Sequence, residues 1–234
     1  MSVFSYSKQA LEVLSTIAVT AAAGVLIWVL LSDHAGGDPT AQITEVDGLS
    51  LESQELDHVH GGGEVAIVEF SDFECPFCNR YAVETLPELK RTLIEPGLVR
   101  YVSFHFPLEA LHPNALDASY AAECAGQQAK YWEMHELLFS DPSTLARPFL
   151  FQYADDLGLD REAFEACLND PGERVRAHQA LGARLGVNAT PSFFVGTVRD
   201  DGGIDLVRRI NGFAAPDVFR TALDDLIPEQ TSHR

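Results

Sequence analysis

Cys75-Pro76-Phe77-Cys78 sets two thiols one helical turn apart, a spacing suited either to disulfide exchange or to holding a metal. Zinc ordinarily takes a second Cys or His pair at close spacing, and none stands near residues 75 to 78, so redox exchange is the favoured chemistry. Pro76 has no N–H to lose and suits the first turn of a helix. Cys75 then caps that helix, where unpaired amides and the positive dipole end favour a thiolate, and it becomes the nucleophile. Cys78, one turn further in on the same side, becomes the resolving thiol.

Two elements must position this pair. Val65 to Phe70 is an apolar, β-branched run of strand length, and after the dithiol apolar residues recur at helical spacing through Val83, Leu86 and Leu89. Glu69 lies inside the strand between Val68 and Phe70. Facing inward it would be desolvated, with a raised pKa, and would accept the proton of Cys78; facing outward it would be an ordinary solvated carboxylate.

The strand, dithiol and helix resemble the active-site segment of the thioredoxin superfamily. The region from about Val65 to Ile227 is similar to the DsbA-like thiol:disulfide oxidoreductases of bacterial cell envelopes. Leu185-Gly186-Val187-Asn188-Ala189-Thr190-Pro191-Ser192-Phe193-Phe194-Val195-Gly196 resembles that family's cis-proline loop. An ordinary X–Pro bond is cis only about 5% of the time in folded proteins, so it is the resemblance that implies a cis Pro191. It also implies that Thr190 and Pro191 lie against the dithiol and offer backbone groups to a bound peptide, and that Glu69 matches the family's buried acid. Pro76-Phe77 departs from the Pro-His pair of the best-known strong oxidant. Phe77 can neither hydrogen-bond nor lend positive charge to a Cys75 thiolate, so the reduced form is expected to be less favoured than in that relative. Asp72 and Glu74 beside the dithiol would oppose the thiolate further. His112 is either a replacement proton donor or part of a Leu111-His112-Pro113 turn like the family's His-Pro.

The expected fold is α/β: a thioredoxin fold with an inserted helical domain, preceded by a single N-terminal transmembrane helix. Leu11 to Leu31 is almost wholly apolar and as a helix would span roughly 30 Å, enough to cross a bilayer. No good cleavage site follows it, so an uncleaved anchor in residues 1–31 is expected, with Lys8 on the cytoplasmic side. Residues 32–63 read as a tether ending in Gly61-Gly62-Gly63; His58 and His60 could suggest a metal site but, beside three glycines and with no nearby Cys, read as solvated linker. The thioredoxin-like halves are placed at 64–107 and 187–228. Between them, residues 108–186 carry helical spacing throughout, punctuated by Asp141-Pro142-Ser143, Asp160 and Asp170-Pro171-Gly172. Residues 229–234 read as a frayed tail.

Cys124 and Cys167 both fall in the helical insert. An even count of four cysteines and an envelope location suggest that they bond as a structural staple, an arrangement some DsbA-like proteins resemble; otherwise they are two buried free thiols. The 234-residue chain carries a net charge of −19, which argues against nucleic acid and against electrostatic binding to anionic membranes. No cofactor and no metal are implied, and a monomer is expected. The resemblance implies an enzyme that oxidises thiols of exported proteins on the periplasmic side and is reoxidised by a DsbB-like or VKOR-like membrane partner. Two competing readings are an envelope reductase or isomerase of the same fold, and a thiol-based metal carrier or peptide-binding module.

Overall fold

The computed structural model describes residues 41–227. The expected anchor in residues 1–31, the first part of the tether and the C-terminal tail lie outside the described residues. Among the described residues, no helix is long and apolar enough to cross a membrane.

Six strands form one sheet: β1 (Ile43–Leu51), β2 (Val59–Gly61), β3 (Val65–Ser71), β4 (Val99–His105), β5 (Ser192–Val198) and β6 (Ile204–Asn211), in the order β1-β6-β5-β3-β4-β2. β3 and β4 are parallel, joined by a helical crossover, and the other pairings are antiparallel. β3 is hydrogen-bonded on both sides and buried along its whole length, which is why it reads as a near-continuous apolar run. Alternation divides its side chains between two cores. Val65 and Ile67 pack with Tyr81, Leu89, Phe193 and Phe219 on one face, whereas Ala66, Val68 and Phe70 pack with Phe104, Leu181 and Phe194 on the other.

The crossover after β3 opens with α1 (Pro76–Arg80), widens by one residue per turn over Tyr81–Thr85, tightens again in α2 (Leu86–Leu89) and widens once more over Lys90–Ile94. Pro87 explains the break: it has no N–H for the regular ladder, and just before it the Leu86 N–H bonds back to Tyr81 O. Between β4 and β5 lie five helices: α3 (Ala115–Gly126), α4 (Tyr131–Ser140), α5 (Arg147–Asp156), α6 (Arg161–Asn169) and α7 (Arg174–Arg184). The first four enclose a core around Ala122, Met134, Leu138, Leu150 and Phe164, into which Phe73 projects from the dithiol loop. Asp160 caps α6 by accepting the Ala163 N–H at 2.8 Å. α8 (Pro216–Leu223) covers the same sheet face as α1, burying Phe219, Ala222 and Leu223.

Residues 41–63 are not a tether. β1 pairs along β6, Leu51 is fully buried, and β2 pairs with β4. A register shift between Glu45 and Leu49, with Gly48 at φ 68°, interrupts the alternation that would otherwise have marked β1 as a strand. His58, expected in solvent, turns inward and stacks on Tyr131 with ring centroids 3.4 Å apart.

The β5–β6 pair has its own tight point at Gly196, next to a register shift in β5. A Cβ there would stand 2.2 Å from the Asp205 carbonyl oxygen, a backbone atom that cannot step aside. Gly196→Ala is therefore expected to cost roughly 2–4 kcal/mol of stability. Urea denaturation measures it, and an unchanged midpoint would show that the strands separate freely.

Candidate active site

Cys75 sits at the N-cap of α1 with extended backbone (φ −73°, ψ 123°), and Pro76 occupies the first helical turn. The Cys75 N–H bonds to Asp72 O at 3.1 Å, closing the turn that leaves β3, and the Asn79 N–H bonds to Cys75 O at 3.0 Å. Both thiols are free, but they differ in access: Cys75 keeps 4% of its surface exposed and Cys78 none. Thr190–Pro191 is a cis peptide, and the Cys75 thiol donates to Thr190 O at 3.4 Å. The structure thus brings Cys75, Pro76, Phe77, Cys78, Thr190 and Pro191 together across more than a hundred residues of sequence.

The two thiols are pulled in opposite directions. A hydrogen bond from the Cys78 thiol, helped by the backbone amides of Cys78 and Phe77 at the helix start, outweighs burial and brings Cys75 down to about 6. Cys78 is pushed well above its ordinary range, first by burial and then by sharing its proton with Cys75.

Glu69 follows the alternation of β3 onto the face that carries Val65 and Ile67, under α1. Its carboxyl is buried; Oε2 accepts the Tyr101 hydroxyl from β4, and Oε1 has no hydrogen-bond partner. Burial drives it up to about 7, against the Tyr101 hydrogen bond, and its charge is felt at Cys78. Such a carboxyl can hold or release a proton near neutral pH. Tyr101 was not singled out by sequence, because its role depends on the register that sets β4 beside β3.

A buried acid whose folded pKa exceeds its unfolded value of 4.5 supports the folded state below that value and loses that support as pH rises through the folded value. Relative to Glu69→Gln, the reduced protein should therefore lose about 3 kcal/mol of stability between about pH 4.5 and somewhat above pH 7. Urea denaturation of both proteins across that range tests it. Parallel profiles would mean that Glu69 stays ionised inside the fold.

Asp72 and Glu74 do not simply confront the dithiol with negative charge, as their positions in sequence suggest. Asp72 is fully buried and accepts the N–H groups of Glu74 and Leu108, each at 2.8 Å, while Oδ2 lies 2.8 Å from His112 Nδ1. Glu74 accepts the Asn114 N–H at 2.6 Å and its side-chain amide at 2.8 Å. Both carboxylates tie the dithiol loop to the start of the helical insert. His112 does stand in the turn that opens the insert. Burial works against its positive charge, but Asp72 and then Cys75 favour it strongly enough to raise its pKa.

Large apolar side chains are exposed, one of them between the two cysteines. Phe77 is 55% exposed and Leu111 is 72% exposed. A groove of about 360 Å³ runs between α2 and α4, lined by Ala82, Val83, Leu86, Pro87, His135 and Phe139, with Lys90, Glu136 and Ser140 as its polar members. Val83, which helical spacing alone would have turned inward, faces this groove and solvent. Exposed apolar side chains beside a reactive thiol suit a flexible peptide segment better than a small polar molecule. Cys124 of α3 and Cys167 of α6 are joined by a disulfide, with Cα atoms 5.7 Å apart.

A family model described as Thioredoxin matches residues 59–205. Among solved structures, alpha-DsbA1 of Wolbachia pipientis is 23% identical, with a TM-score of 0.64 over 72% of this chain and 89% of that one. A thioredoxin-like oxidoreductase from Silicibacter pomeroyi is 30% identical, with a TM-score of 0.56 over 80% and 92%. The chain belongs to the thioredoxin family. Within it, the architecture, a thioredoxin fold with a helical insert, is that of alpha-DsbA1 and of the thioredoxin-like oxidoreductase. Among curated sequences, Na(+)/H(+) antiporter NhaA 1 of Salinispora arenicola is 40% identical over 156 residues, 65% of this chain but 23% of that protein. The chain thus spans about a quarter of the length of the curated relatives it matches.

Proposed function

We propose that Cys75 and Cys78, in their oxidised form, donate a disulfide to exported proteins, with Cys75 as the sulfur that substrate attacks. The observation that carries this reading is the inequality of the two thiols. Cys75 is the reachable sulfur and is stabilised as a thiolate, whereas Cys78 is sealed and holds its proton. A stabilised thiolate is a good leaving group and favours the reduced enzyme, which is the thermodynamic direction of an oxidant.

A substrate thiolate attacks Cys75 Sγ, the Cys75–Cys78 bond breaks, and Cys78 departs as a thiolate that takes the proton held on Glu69. A second substrate thiolate then attacks the substrate sulfur of the mixed disulfide, and Cys75 leaves as a thiolate. Two electrons have passed from substrate to enzyme. Thr190 and Pro191 flank the bound peptide, and Phe77 and Leu111 give it an apolar seat. Reoxidation removes the same two electrons through a DsbB-like or VKOR-like membrane protein. The apolar run from Leu11 to Leu31 tethers the chain with its dithiol outside the cytoplasm. The partial match to a sodium–proton antiporter supports a membrane setting.

The test is stoichiometric. Oxidised full-length chain mixed with a reduced dithiol peptide should yield one peptide disulfide for each Cys75–Cys78 pair reduced, followed by chromatography and mass. Unreacted peptide beside oxidised enzyme would sink the oxidase reading.

A further inference from the structure

Away from the dithiol, the fold assembles a second group of side chains with ligand chemistry. His58 precedes β2, His105 ends β4 and Glu123 lies in α3, and one ligand atom from each falls within 4.8 Å of the others. Glu123 Oε1 is 2.8 Å from His58 Nε2 and 3.0 Å from His105 Nε2. We propose that His58, His105 and Glu123 form a binding site for one divalent cation of borderline softness, with Zn2+ the natural occupant.

Three features favour an ion over an ordinary buried polar cluster. His105 Nε2 is buried and, although 3.0 Å from a carboxylate oxygen, makes no hydrogen bond of good geometry, which leaves it available to a ligand. Atoms each about 2.0–2.1 Å from a tetrahedral ion stand roughly 3.3 Å apart, a few tenths of an ångström wider than the 2.8 and 3.0 Å that separate Glu123 Oε1 from the two imidazoles. His58 adopts a positive φ of 49°, uncommon for a residue with a side chain, and its ring lies inward, stacked on Tyr131.

The surrounding groups suit the charge. His178 Nδ1 accepts the His105 N–H at 3.3 Å, and His178 Nε2 lies 3.2 Å from Asp57 Oδ2. Arg174 is paired with Asp57 at 2.6 Å and reaches the second Glu123 oxygen at 3.5 Å. Arg174 and Asp57 therefore offset each other, leaving the Glu123 carboxylate to balance part of the ion's charge. Two imidazoles and one carboxylate are a zinc donor set, and a water completes it. Side-chain exposure is 11% at His58 against 2% at His105, so the ion would enter from the β2 edge. Bound there, it would pin the β2 edge, the end of β4 and α3 together, one residue from the Cys124 disulfide.

The test uses the untagged full-length chain carrying Cys75→Ser and Cys78→Ser, stripped with chelator and titrated with Co2+ and then Zn2+. The dithiol is absent, so the outcome does not depend on the proposed redox function. One Co2+ per chain is expected, with visible absorption lacking the intense near-ultraviolet thiolate band, displaced by Zn2+ and accompanied by a higher melting temperature. His58→Gln should weaken binding by about 100-fold or more, since even outer-shell partners account for 10–100-fold. X-ray absorption on the zinc-loaded protein, which needs no ligand substitution, should report two imidazoles and no sulfur. Substoichiometric binding, a first shell without imidazole, or affinity unchanged by His58→Gln would each overturn the proposal.

Discussion

Cys75→Ser should reduce peptide oxidation to the uncatalysed rate, a loss of roughly four orders of magnitude or more. Nothing else at the site can replace it, because Cys78 has no exposed surface and its proton is held by burial. Cys78→Ser should behave differently. The remaining thiolate still attacks a peptide disulfide, but no second thiol lies within reach to release the product, so a mixed disulfide on Cys75 accumulates and is seen as added mass under non-reducing conditions. In the unsubstituted reduced protein, alkylation of Cys75 should follow a titration near pH 6. Equal losses in both variants, with no trapped adduct, would mean that the two sulfurs have interchangeable roles and that the difference in access is irrelevant.

Replacing Cys124 and Cys167 by alanine should lower stability by about 4 kcal/mol, from the chain entropy of a loop of 43 residues released in the unfolded state. The bond ties α3 to α6 inside the core that receives Phe73, and Phe73 is two residues from Cys75. Loosening the insert should therefore also disturb the dithiol loop. Denaturant unfolding with the active-site pair held reduced isolates the effect. A loss below about 1 kcal/mol would show that helix packing alone fixes the insert.

What sequence could reveal here depended on how local each feature is. The dithiol, the proline after Cys75 and the run of β3 are contiguous. Once β3 is recognised, alternation alone puts Glu69 on the side of α1, since it shares parity with Val65 and Ile67. The helical insert was legible because apolar spacing of three and four persists from Ala115 to Leu185. The partners of these residues were not legible. Tyr101 meets Glu69 only through the β3–β4 register, and His112 and Asn114 reach back about forty residues to the carboxylates of the dithiol loop. His58 is noticeable in sequence but reads as solvated linker, because β1 and β2 escape notice: a register shift between Glu45 and Leu49 breaks one strand pattern, and the other strand is only three residues long. Its partners Glu123 and His105 come from the insert and from the sheet, so no spacing rule could have joined them.

If the unequal thiols make the dithiol an oxidant, the reduction potential of the Cys75–Cys78 pair must show it. Equilibration of the full-length chain with glutathione buffers, with the Cys124–Cys167 bond monitored separately by mass, gives that value. The expected potential is well above about −200 mV. A value near about −270 mV, that of a thioredoxin-like reductant, would contradict it and would require an electron donor in place of a reoxidising partner.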